Sequence, residues 1–195
     1  TSRPEPSKTG LATAVLTLMT AAWGSSFFLT KDLLTTVPAA DFLAVRFTLA
    51  AAVMTAVLWR HLRALSRRDV LAGVFLGTLY GVAQILQTYG LALTSASRSG
   101  FITGMYVILT PIFGALLLRA RIGAATWLAS VVSLAGLAVL SLGSVGWGAG
   151  ESLTFACAVL YAGHILGLGA ASRAGNTLGL SAVQLIVVAL ACTVA

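Results

Sequence analysis

Residues 70–93 read VLAGVFLGTLYGVAQILQTYGLAL, an apolar run without a charged side chain. Roughly 20 helical residues cross a hydrocarbon core about 30 Å thick, so this run is long enough to span a membrane. Tyr80, Gln84 and Gln87 recur inside it at i, i+4 and i+7, which is one face of a helix. Polar groups are costly in hydrocarbon, so that face turns to a bundle interior or a wet cavity. Gly73 and Gly77 overlap the same face nearer the start of the run, where a neighbouring helix can come close. The polar trio then lines whatever lies between the helices further along: a cavity, or a set of inter-helix hydrogen bonds.

Working outward, six further runs have the same character. With residues 70–93, the expected spans are 11–29, 42–59, 99–118, 122–142, 153–171 and 178–195. The spacers are short and leave no room for a soluble domain. Of the 195 residues, 58% are hydrophobic and 9% charged. A soluble domain has about 25% charged residues, so this chain cannot cover a water-facing surface. The expected fold class is all-α, a polytopic transmembrane helix bundle. The first span follows Arg3 and Lys8 and so resembles a signal peptide, but its apolar run is long for one. Cys157 and Cys192 both lie in apolar runs and form no disulfide or metal pattern.

The net charge of +7 does not point to nucleic acid, because the basic residues sit between apolar runs. Arg3, Lys8, Arg60, Arg63, Arg67, Arg68, Arg119, Arg121 and Arg173 all fall on one side of the membrane. The other side has Lys31 and Arg98. The positive-inside rule puts the N-terminus in the cytoplasm.

A second pattern crosses the whole chain. Adding 138 to a residue number carries Trp23 onto Tyr161, Ala44-Val45-Arg46 onto Ala182-Val183-Gln184, and Thr55 onto Thr193. The first two spans thus fall on the last two without a gap. The unit holds five spans, an odd number, so the second copy is inverted in the membrane. Inverted repeats are a transporter signature, with a substrate site near the midplane between the halves. The expected organisation is a cytoplasmic tail at 1–10, a first repeat at 11–143 and a partial second repeat at 144–195, so that the chain reads as part of a ten-helix protein.

Ala22-Trp23-Gly24-Ser25-Ser26, Arg46-Phe47, Tyr89-Gly90-Leu91 with Thr94-Ser95-Ala96, Thr110-Pro111 and Gly136-Leu137 stand in that order along the chain. In order and spacing they resemble the EamA-like family of the drug/metabolite transporter superfamily. The resemblance implies ten helices in two inverted five-helix repeats, and a carrier of small metabolites, often an exporter of amino acids or related compounds. One departure is visible. The family usually has Glu-Arg after its fourth helix, whereas here Arg119-Ala120-Arg121 puts Ala120 in place of the acid. Altered gating or stability contacts are expected in that loop, and substrate binding is not.

Several further residues are candidates for a cavity. Trp23 and Tyr161 are repeat counterparts inside their spans, as cavity walls or as core aromatics. Ser26, the counterpart of His164, can bond its own backbone and loosen its helix. His164 is the one histidine within a span, and it serves either as a buried polar contact or in handling substrate or protons. Arg46, the counterpart of Gln184, either snorkels outward or pairs with Asp41, or it attracts an anionic substrate group. Gly104 and Pro111 share a face of the fourth span with Gly100 and Gly114, and Pro111 is expected to kink it. Tyr106 lies off that stripe, as another cavity candidate.

No acid lies mid-span: Glu5, Asp32, Asp41, Asp69 and Glu151 sit outside the spans or at their ends. A small multidrug-resistance pump, similar in miniature, needs a mid-membrane Glu in its first helix, so proton-coupled antiport of cations is disfavoured. An intramembrane serine protease lacks the glycine expected ahead of Ser99-Gly100. A retinal protein lacks a lysine in its seventh helix. The expectation is therefore a carrier and not an enzyme, with a passive channel as the rival. It needs no cofactor or metal, sits in the lipid bilayer (the inner membrane of a bacterium) and takes a small-molecule substrate. A homo-oligomer stays open.

Overall fold

The computed structural model describes residues 6–141, 147–172 and 176–194. The ends of two expected spans at 142 and 195, the repeat boundary at 143–144 and Arg173 lie outside the described residues.

Every expected span is a helix. They are α1 (Pro6–Leu33), α2 (Ala39–Arg63), α3 (Arg67–Leu93), α4 (Ala96–Gly104), α5 (Tyr106–Leu117), α6 (Ala124–Ser141), α7 (Ala149–Ala171) and α8 (Thr177–Val194). Among the described residues six helices are long and apolar enough to cross a membrane, α4 and α5 counting as one from Ala96 to Leu117. The described apolar stretch of α6, Ala124–Gly136, is shorter. Large apolar side chains such as Leu16, Leu49, Phe75 and Leu116 are exposed on the bundle's outside, as lipid-facing residues are.

The acids at span ends have local jobs. Asp69 and Ser66 form a capping box: the Ser66 amide donates to Asp69 at 3.1 Å and the Asp69 amide to Ser66 Oγ at 3.2 Å. This satisfies free amides at the start of α3. Glu151 in the first turn of α7 accepts the Gly148 amide in the same way, at 2.9 Å.

α3 is the centre of the bundle. One edge lies along α8 in the same direction, with Gly73 against Val183 and Gly77 against Gln184. The other runs antiparallel to α7, with Gly90 against Gly150 and Thr154, and Leu76 against Gly167. α2 lies antiparallel to α8. The groove between those two helices is lined by Thr48, Ala51, Ala52, Thr55 and Ala56 on one side and by Ile186, Ala189, Leu190 and Thr193 on the other. All of the first set but Ala56 become members of the second when 138 is added. Antiparallel helices presenting matching positions to each other meet across a local two-fold axis, and that axis passes near Ala51 and Ala189.

The fourth span departs from its expected form. The sequence places the kink at Pro111, but Pro111 lies buried inside α5 and the helix divides earlier, at Met105. There the Met105 amide bonds to Ile102 and the Ile108 amide to Met105, both at 3.1 Å, a tightened 3₁₀-type turn. A proline disturbs the turn before it, because its ring presses on the carbonyl four residues back and gives that carbonyl no amide. That carbonyl belongs to Val107, and Ser130 of α6 donates to it at 3.4 Å.

The loop after α5 contains the one described non-glycine residue with positive φ, Arg119 at 49°. Its neighbour Ala120 sends its amide back to the Gly114 carbonyl at 3.0 Å, closing the helix end. A left-handed residue after a helix is ordinarily glycine, because a Cβ costs about 1 kcal/mol there. Arg119→Gly is therefore expected to raise stability by about 0.5–1 kcal/mol, read as a higher melting temperature in detergent.

Candidate functional site

The polar face of α3 is where the candidate residues meet. Gln84 is 3% exposed and Gln87 8%, although both carry a full amide. Gln84 Nε2 donates to the Tyr80 hydroxyl at 2.8 Å. Gln87 Nε2 donates to Thr103 Oγ1 at 3.2 Å, and its Oε1 accepts from the Tyr161 hydroxyl at 3.1 Å. Both ends of the Gln87 amide are thus held by α4 and α7. Gln84 differs, because its Oε1 is buried with no hydrogen-bond partner. Such an orphan costs about 1–3 kcal/mol.

Aromatic rings continue the site across the bundle. Trp23 lies 6.2 Å from Tyr106, Tyr106 lies 6.2 Å from Tyr161, and Tyr161 lies 5.8 Å from Tyr80. Tyr80 stacks on the His164 imidazole at 5.2 Å. His164 Nε2 and Gln184 Oε1 are 2.6 Å apart, which commits that nitrogen to a neighbour.

Trp23, Ser26, Arg46, Gln84 and Gln87 line one small cavity with Phe27, Thr30, Thr88 and Leu91. Its volume is about 20 Å³. That is room for about one water-sized group. Five expected site residues on α1, α2 and α3 therefore share a single space. Tyr80, Tyr161 and His164 stand beside it, and Tyr106 joins them through Tyr161. Gly104 does not reach this space. With Trp23 and Tyr106 it lines a separate, largely apolar pocket of about 430 Å³ between α1 and the fourth span. Pro111 lines neither.

Arg46 forms no ion pair with Asp41 among the described residues, although both line a shallow pocket with Phe42 and Val45. Its guanidinium lies 5.8 Å from the Phe42 ring and 5.3 Å from the Phe47 ring, beside the cavity. Ser26 Oγ donates to the Trp23 carbonyl at 2.6 Å, the self-bonding expected of it. Ser26 and Arg46 share a cavity, and their repeat counterparts His164 and Gln184 touch each other. Equivalent positions on the two helix pairs thus approach each other in both.

Thr30, Thr88 and Thr103 were missed from sequence. Thr30 is four residues after Ser26, and Thr88 four after Gln84, so extending each polar face by one turn would have found both. Thr103 had no such signal, because its partner Gln87 lies on another span. Among the described residues no three His, Cys, Asp or Glu side chains cluster as metal ligands would.

Apolar helices of crossing length around a buried polar junction define a polytopic integral membrane protein. Residues 10–142 match the EamA-like transporter family, and the chain belongs to that family. It is 29% identical over 161 residues to a protein of Archaeoglobus fulgidus named "Uncharacterized transporter". The match covers 83% of this chain and 50% of that relative, so the chain spans about half the relative's length. No solved structure matches the chain.

Proposed function

We propose that this chain belongs to a carrier that moves small polar metabolites by alternating access, with amino acids and related compounds as the substrate class and export as the direction. Residues 11–143 form its first five-helix repeat and 144–195 the start of an inverted second. The observation that carries the reading is Gln84 Oε1, a buried acceptor without a partner at the cavity it shares with Arg46. A substrate with a polar hydrogen satisfies the first, and an anionic group the second. Trp23 walls the space, Tyr80, Tyr106 and Tyr161 stand beside it, Ser26 contributes a hydroxyl, and His164 tunes its polarity. Gln87 holds the walls in place.

A cavity of about 20 Å³ cannot admit a metabolite until helices part. This favours alternating access over a standing pore, the channel reading. The division of the fourth span at Met105, with Pro111 and Gly104 on either side, supplies a hinge for that motion. The basic loops at the Arg60 end support a cytoplasmic N-terminus in a plasma membrane, the inner membrane in a bacterium, and place Lys31 on the outer face.

Counterflow in proteoliposomes tests the reading, using the full-length protein and a panel of labelled amino acids. Saturable accumulation driven by unlabelled substrate inside is expected. Flux that is linear in concentration, with no counterflow, refutes the carrier.

A further inference from the structure

The Lys31 end of the bundle is tied across helices by charged groups that the substrate site does not use. Glu151 in the first turn of α7 is 5% exposed. One of its carboxylate oxygens accepts from Thr94 Oγ1 at 2.5 Å and faces Arg98 Nη1 at 3.0 Å. The other accepts the Gly148 amide at 2.9 Å. Thr94 caps the end of α3 and Arg98 lies on α4, so a single carboxylate joins three helices. Beside it, Lys31 at the end of α1 donates to the carbonyls of Leu91 and Ala92, each at 2.9 Å. Lys31, Thr94, Arg98 and Glu151 line one dent at this end of the bundle.

The Lys31 side of this cluster borders the cavity, whose walls come from α1, α2 and α3. Thr30 and Leu91 are cavity walls. Lys31 follows the first in sequence, and it holds the carbonyl of the second. The opposite end is bound differently. Among the described residues, its cross-helix link is a neutral one, from Asn176 Nδ2 to the His61 carbonyl at 2.8 Å, on the exposed surface. A charged pair at an aqueous mouth suits a reversible closure. Its attraction is strong while water is excluded, and both partners regain hydration when the mouth opens.

We propose that Arg98 and Glu151 form an ionic lock on one mouth of the site, closed in this conformation, which must part before the cavity opens toward the Lys31 end. The proposal rests on the alternating-access reading, with α4 separating from α7 as the mouth opens. Glu151→Gln removes the charge and keeps an N3 side chain able to cap α7. Arg98→Gln removes the other partner and leaves that cap untouched.

The test uses the full-length protein with Thr30→Cys as a reporter in the cavity wall. A charged, membrane-impermeant methanethiosulfonate is added outside intact cells, and labelling is measured above that of the Thr30 protein. Each single variant is expected to speed labelling about tenfold or more, as release of a half-buried ion pair would. The double variant is expected to be no faster than the faster single. Labelling within twofold of the parent in both folded singles overturns the lock, and so does a double variant whose effect is the product of the two. Should Glu151→Gln fail to accumulate, Arg98→Gln alone decides. Counterflow with unchanged labelling removes the lock and leaves the carrier. Faster labelling without counterflow removes the carrier and leaves a gated mouth.

Discussion

Gly90→Ala is expected to cost about 3 kcal/mol or more and to lower the melting temperature by several degrees. A Cβ at Gly90 would lie 2.5 Å from Thr154 Oγ1, 2.9 Å from the Gly150 carbonyl oxygen and 3.1 Å from the Thr154 amide nitrogen. Two of those atoms are backbone and cannot rotate away. The third is held, because Thr154 Oγ1 donates to the Gly150 carbonyl at 2.8 Å. The crossing is also reciprocal: a Cβ at Gly150 would meet the Gly90 carbonyl oxygen at 2.9 Å. Neither helix can yield without separating α3 from α7, and that would part Gln87 from Tyr161. Gly24→Ala is the control, since nothing lies within 4 Å of its added Cβ. A surface substitution of that kind is expected to stay within about 0.5 kcal/mol of the parent. A Gly90→Ala protein that melts with the Gly24→Ala control would show that the two backbones do not touch.

The spans were legible because a membrane makes composition decisive. A run such as 70–93 has few alternatives once charge is absent. The polar face of α3 was legible for a related reason: amides so placed must find partners inside the bundle. What each amide does was not legible. Gln84 and Gln87 look alike in sequence, yet one is committed at both ends and the other keeps a bare oxygen. That difference depends on Thr103 and Tyr161, which reach α3 from other spans. Glu151 shows the same limit. It marks the end of a span in sequence, but its ties to Thr94 and Arg98 exist only once α3, α4 and α7 are assembled. The site of the helix break was hidden too, because Met105 lies beyond the turn that Pro111 disturbs.

Residues related by the 138-residue shift differ in chemistry. Arg46 and Gln184 differ in charge, and Ser26 and His164 differ in kind. What the two pairs share is proximity: Ser26 and Arg46 line one cavity, and His164 and Gln184 are in contact. The α2–α8 groove makes the same point, with Ala51 facing Ala189 where the local axis passes. The charge is therefore one-sided. Arg46 brings a cation to the cavity from α2, whereas Gln184 on α8 carries only an amide, already engaged with His164 of α7.

That asymmetry within α3 leads to the second large effect. Gln84→Leu in the full-length protein is expected to lower kcat/KM for counterflow by about 10- to 100-fold, the value of one or two hydrogen bonds to a polar substrate. Its stability is expected to stay within about 1 kcal/mol of the parent, because the lost bond to the Tyr80 hydroxyl is offset by removal of the orphaned oxygen. Gln87→Leu should show the reverse. It leaves the Tyr161 and Thr103 hydroxyls without their amide at a buried junction, so a loss of about 2–4 kcal/mol is expected before any transport defect is counted. Melting curves and counterflow on both variants separate the two roles. If Gln84→Leu melts higher and transports normally, its bare oxygen is only a cost to the fold and the substrate site lies elsewhere. If transport collapses while melting barely moves, the oxygen that the folded bundle leaves unpaired is the one the substrate must meet.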